Sequence, residues 1–142
     1  MNERERHLLQ QIGRTGRAMY AAFEAQVGHP LPRWRILQAL RAHGAASQKQ
    51  LAQQLLMDPG ALTRQMKTLE AEGLVTRQSA VEDNRLTTVA LTAAGSALID
   101  AAEPQRRAFA RKALKGLPAN QIDAALDLLQ TLEGRFRLMQ GL

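Results

Sequence analysis

The sequence predicts a mainly α fold that carries a single β hairpin, and three observations lead there. Only 4% of its residues are aromatic, while alanine, leucine, glutamine and arginine usage favours helix. Apolar residues recur at helical spacing along most of the chain. The period changes to two in one place, residues 74–91, where a polar loop separates two short runs. With 142 residues the chain has the length of one domain, so 1–142 is expected to fold as one unit.

The first helix is expected over 3–27, because Leu8, Ile12, Met19, Phe23 and Val27 recur at near-helical spacing and Gly28 and Pro30 end it. Gly13 and Gly16 form a soft spot within it: either a point of close approach or a tolerated weakness. Pro32 suits the first turn of a second helix over 32–43, on which Trp34, Leu37 and Leu40 share a face before Gly44. Ser47 and Gln50 have capping-box spacing, which opens a short third helix buried through Leu51 and Leu55. Asp58-Pro59 is an N-cap followed by proline at the first helical position. A fourth helix follows over about 58–73, anchored by Leu62, Met66 and Leu69 and closed by Gly73.

Leu74-Val75-Thr76 and Leu86 to Leu91 are read as the two strands of an antiparallel hairpin, with Gln78 to Asn84 as its loop. Thr92 should cap a long fifth helix through Leu98, Ala101, Phe109 and Leu114, which Pro104 is expected to kink or break. Residues Gly116 to Asn120 are read as a turn. The last helix carries the stripe Ile122, Leu126, Leu129, Leu132, Phe136 and Met139.

Two short helices joined by a tight turn and followed by a hairpin have the order of a winged helix-turn-helix. This places a lobe at 32–91 within a six-helix fold with a two-stranded wing. The second helix of such a pair enters the major groove of duplex DNA, and Pro59, Gly60, Ala61, Thr63, Arg64 and Lys67 are small or hydrogen-bonding residues suited to its leading face. Ser47, Gln48 and Lys49 stand at a helix N-terminus, where free N–H groups favour a phosphate; for Ser47, simple capping explains the residue equally well.

Residues 47–99 resemble the multiple antibiotic resistance regulator (MarR) family of dimeric bacterial repressors. The resemblance is carried by Thr63-Arg64, the run Leu69-Glu70-x-x-Gly73-Leu74-Val75-x-Arg77, Asp83-x-Arg85 and Leu91-Thr92-x-x-Gly95. It implies a recognition helix at about 58–73 in the major groove and a wing at 78–85 whose Arg85 lies in the minor groove, oriented by Asp83. Two departures stand out. Asn84-Arg85 replaces the family's frequent pair of arginines, and Gly60-Ala61 replaces hydroxyl residues, so base preference should differ. Arg77 completes the candidate DNA contacts.

The apolar ends of the first and last helices, with Leu8, Leu9, Leu132, Phe136 and Met139, call for cover by a second copy. The resemblance implies a dimerisation region formed by 1–27 with 104–142, and reading heads about 34 Å apart on a palindromic operator. It also implies an effector, a small aromatic or phenolic acid, for which Arg17, Met19, Tyr20, Phe23, Arg33 and Trp34 are the candidate lining. Trp34 also suits the core, and the arginines also suit solvent.

Net charge is +6, yet 44–91 holds five basic residues (Lys49, Arg64, Lys67, Arg77, Arg85) against five acidic ones (Asp58, Glu70, Glu72, Glu82, Asp83). Placement must therefore outweigh sum. Cysteine is absent, which excludes disulfides and thiolate metal sites. The histidines His7, His29 and His43 lack i, i+4 spacing, so neither a metal nor a cofactor is expected. Without a catalytic motif an enzyme is not expected either. No stretch is apolar enough to span a bilayer, and a cytoplasmic protein without membrane contact is the reading. The alternative function is a winged-helix module for protein interaction or structural dimerisation, without specific DNA binding.

Overall fold

The computed structural model describes residues 1–79 and 87–141. Six helices and three short strands follow in the order α1 (Glu3–Val27), α2 (Leu31–His43), β1 (Ala46–Ser47), α3 (Gln48–Leu55), α4 (Pro59–Ala71), β2 (Val75–Ser79), β3 (Thr87–Leu91), α5 (Ala93–Leu114) and α6 (Ala119–Met139). The chain divides into two compact units, Met1–Phe109 and Ala110–Leu142.

Local chemistry sets most boundaries. Asn2 and Glu5 make a reciprocal capping box that starts α1, each side chain accepting from the other's backbone N–H at 2.8 Å. The expected box at Ser47 and Gln50 forms with both bonds at 3.0 Å. Asp58 Oδ2 accepts from the Ala61 amide at 3.0 Å and opens α4. Thr92 is bonded in both directions: its hydroxyl donates to the Gly73 carbonyl at 2.7 Å and accepts from the Gly95 amide at 3.0 Å. One side chain thus starts α5 and ties it to the end of the α4 segment.

The core of the first unit is built by α1, α2, α3, α4, the sheet and α5. Ile36, Leu37, Leu51, Leu62, Met66, Leu69, Val75 and Val89 are its fully buried large side chains. Phe23 of α1 meets the Trp34 ring at 5.9 Å and Phe109 edge-on at 5.5 Å, so three helices share one aromatic cluster. In the second unit, α6 has no buried residue among those described.

Four details of the sequence reading change. The expected two-stranded wing, β2 with β3, is present and is extended by β1 into a three-stranded antiparallel sheet in the order β1-β3-β2. Ala46 and Ser47 pair with Val89 and Thr88, and a two-residue strand is too short to show alternation. Second, Gln78 and Ser79 are strand rather than loop, paired with Thr88 and Thr87; polar residues suit a strand whose outer face is wet. Third, α5 runs through Pro104 without a break. The acceptor that loses its bond there is the carbonyl of Asp100, an exposed residue that water can serve. At the last turn, α6 begins at Ala119, directly after Pro118, so Ala119 and Asn120 are helical. Leu86, read as strand, lies outside the described residues.

Candidate nucleic-acid interface

Helix α4 presents two unlike faces because its apolar residues are spaced for one side only. Leu62, Met66 and Leu69 are at most 1% exposed. On the other side Pro59, Gly60, Arg64, Lys67, Thr68 and Ala71 are exposed, with Ala61 and Thr63 half-buried beside them. The result is a solvent-facing row with two cations, held on a helix that the core keeps rigid.

The helix-turn-helix junction is made by hydrogen bonds as well as packing. Gln48 Nε2 donates to Thr63 Oγ1 at 3.3 Å, and that hydroxyl donates to the Pro59 carbonyl at 3.0 Å, so the first turns of α3 and α4 are laced together. Between them lies an open groove of about 340 Å³, lined by Gln48, Lys49, Gln53, Pro59 and Thr63 over Ala52 and Leu62. Ser47 caps α3 and also pairs with β3, while Lys49 is exposed. Gln53 was missed from sequence; its signal is the i+4 spacing from Lys49 along one helix face. Thr68, four residues after Arg64, is exposed, and its hydroxyl donates to the Arg64 carbonyl at 3.2 Å.

Arg77 sits in β2, where its guanidinium bonds Glu70 Oε1 of α4 through Nη2 at 3.1 Å and Nε at 3.3 Å. This bond to Arg77 is the main cause holding the Glu70 carboxyl below its ordinary value. Asp83, Asn84 and Arg85 lie outside the described residues.

The candidate effector residues fall into two groups. Arg17, Met19 and Tyr20 are exposed on α1, and Arg17 and Tyr20 border a surface groove with Ile12, Gly13 and Gly16. Phe23 and Trp34 are core residues. His29 stacks on Trp34 at 5.8 Å, and Arg106 lies over the same ring at 5.6 Å. Arg33 pairs with Glu72 through Nη2, while its buried Nε has no hydrogen-bond partner among the described residues. Burial lowers the His29 pKa, and the nearby Arg33 charge lowers it further against the opposing pull of Glu72. Of the proposed interface residues, Leu8, Leu9, Phe136 and Met139 are exposed and Leu132 is half-buried. Among the described residues no cluster of three or more His, Asp or Glu has the placement to hold a metal, and no helix is long and apolar enough to cross a membrane.

A pair of short helices with an exposed cationic row, backed by a small sheet whose hairpin follows at once, defines a winged helix-turn-helix transcription regulator. Residues 30–87 match the model of the MarR family. Over 137 residues, which span 96% of this chain and 84% of the relative, the sequence is 30% identical to the uncharacterised helix-turn-helix-type transcriptional regulator YdgJ of Bacillus subtilis. The chain belongs to the MarR family of transcription regulators. Two solved structures share its fold. A mutant MarR from E. coli, complexed with operator DNA, matches with a TM-score of 0.80 at 22% identity, over 88% of this chain and 92% of that one. BpsR of Bordetella bronchiseptica, whose DNA binding is regulated by 6-hydroxynicotinic acid, matches with a TM-score of 0.81 at 24% identity, over 92% and 99%.

Proposed function

We propose that this regulator acts as a ligand-responsive repressor in the cytoplasm, binding a palindromic operator as a homodimer, with α4 in the major groove and the wing in the minor groove. One observation carries the reading: Gly60, Arg64 and Lys67 form an exposed row on α4, a helix whose other face is buried at Leu62, Met66 and Leu69. A helix fixed in this way can meet base edges without paying much ordering entropy, and small residues at its leading end allow close approach to the groove floor. In this reading Arg64 reaches a base edge, Lys67 and Lys49 neutralise phosphates, Gln48 and Thr63 brace the junction, and Arg77 acts through Glu70 as a brace between β2 and α4. Asp83, Asn84 and Arg85 complete the surface from the wing.

Dimerisation is assigned to 1–27 with 104–142. Its support is the exposure of Leu8, Leu9, Phe136 and Met139, side chains that lose apolar contact with water when a second copy covers them. The effector is assigned to the aromatic acids. Arg33 offers a buried donor; burial, and then the Arg33 charge, disfavours protonation of His29, the ring stacked on Trp34, so an uncharged imidazole and a buried N–H stand on this side of the core. No catalytic role or cofactor enters this account.

The test is selection of bound duplexes from a randomised pool, followed by titration of the selected duplex with Arg64→Ala. The expected result is a palindromic consensus, affinity weakened roughly 5- to 150-fold and an altered preference at one base pair in each half-site, with melting temperature unchanged. Arg64→Ala binding as tightly as the unmodified protein would remove α4 as the reading helix.

A further inference from the structure

Helix α3 ends in an unusual way. Its C-cap, Leu56, has φ 51° and ψ 45°, the left-handed region, and among the described residues no other non-glycine has a positive φ. L-residues with a Cβ adopt that conformation at a cost, so surrounding contacts must hold it. Part of that hold is local: the Leu56 amide donates to the Gln53 carbonyl at 3.3 Å, and the Met57 amide to the Ala52 carbonyl at 2.9 Å. The remaining part comes from another helix. Arg35 of α2 donates through Nη2 to the Leu55 carbonyl at 2.7 Å, and through Nη1 to the Tyr20 hydroxyl of α1 at 3.1 Å.

This guanidinium answers three needs at once. The last carbonyls of a helix lack intrahelical donors. A cation is favoured there by the helix dipole, and a charged donor makes the stronger bond. Because the guanidinium is planar, occupying one edge with Tyr20 orients the other edge toward Leu55. The bond at Leu55 lies four residues before Pro59, where α4 begins, so the direction of α4 depends on the geometry held there.

We propose that Arg35 is a positioning residue that couples Tyr20 on α1 to the helix-turn-helix junction, so that a change at Tyr20 alters DNA binding through the Leu55–Leu56 turn. The coupling rests on the reading of α4 as the DNA-contacting helix. It assigns a role to a residue outside both the candidate DNA-contacting set and the candidate effector lining. It also gives the exposed face of α1 a physical route to α4: a donor that takes the Tyr20 oxygen competes with Arg35 for it, whereas an acceptor bonded by the Tyr20 O–H does not.

Tyr20→Phe tests this by deleting one oxygen from a side chain that is 37% exposed, a change the core does not feel. Hydrogen exchange in the DNA-free protein should be roughly threefold to tenfold faster at the Leu56 and Met57 amides, and unchanged at the Leu62 and Thr92 amides. The unmodified protein selects a duplex from a randomised pool, and Tyr20→Phe should bind that duplex roughly threefold to tenfold more weakly. In an Arg35→Met background the same substitution should have no further effect, since the two changes remove one connection. Arg35→Lys should recover only part of the affinity, because an ammonium lacks the two-edged plane. Equal acceleration at all four amides would mean general destabilisation and overturn the proposal. So would unchanged exchange, additive effects on affinity, or local acceleration with affinity retained. Failure to select any duplex would count against DNA reading by α4, and the exchange comparison would still decide whether Tyr20 and Arg35 hold the turn.

Discussion

Gly95 shows how one missing carbon organises the wing's attachment. A Cβ built there would overlap the Leu74 carbonyl oxygen and stand 2.6 Å from Leu91 Cδ1. Only glycine lets the first turn of α5 lie this close to the end of the α4 segment, where Thr92 bonds the neighbouring Gly73 carbonyl. Gly95→Ala should therefore destabilise the fold by about 1–3 kcal/mol, the usual range for overpacking, seen as a lower melting temperature. An unchanged melting temperature would show that the contact relaxes at no cost. Ser47 works at the same scale through two bonds, as cap of α3 and as a partner of Thr88 in the sheet.

Among the elements, α4 is fixed by core packing and by the brace from Glu70 to Arg77 across to β2. Glu70 has a depressed pKa, so its pairing contributes stability above the ordinary carboxyl value of about 4.5 and loses it as pH falls through the lowered value. Melting temperatures of the unmodified protein and Glu70→Gln should consequently differ at neutral pH and converge as pH falls through the lowered value; a gap that is independent of pH would refute the brace. How legible the elements were depended on length and local chemistry. Long stripes and capping residues announced α1, α4 and α6 directly, because periodicity needs several turns and caps need fixed spacing. Two-residue β1 leaves no period, and the strand residues Gln78 and Ser79 look like a loop since they are polar and their partners, Thr88 and Thr87, are 10 and 8 residues away in sequence. Pro104 misled because its effect depends on whether the deprived carbonyl reaches water. The Arg35 bridge was invisible for a different reason: it joins residues 15 and 20 positions away, and its acceptor at Leu55 is backbone.

Over the whole molecule, the net charge of +6 says little, because the formal charges of residues 44–91 balance. What the fold adds is placement: Glu70 is committed to Arg77 and Glu72 to Arg33, while Arg64 and Lys67 stand exposed on α4. Segregation of this kind gives a neutral segment a cationic face; the row on α4 and the charge balance were both legible in the sequence, whereas the pairings that commit Glu70 and Glu72 were not. In a homodimer the face occurs twice, and palindromic DNA matches that symmetry. The most direct measurement is the salt dependence of affinity for the selected duplex, with Lys67→Gln beside the unmodified protein. The account predicts a log–log slope of several units, because each neutralised phosphate contributes about −0.9, and Lys67→Gln in both subunits should make it shallower by roughly two. A slope near zero, or one that Lys67→Gln leaves unchanged, would contradict it.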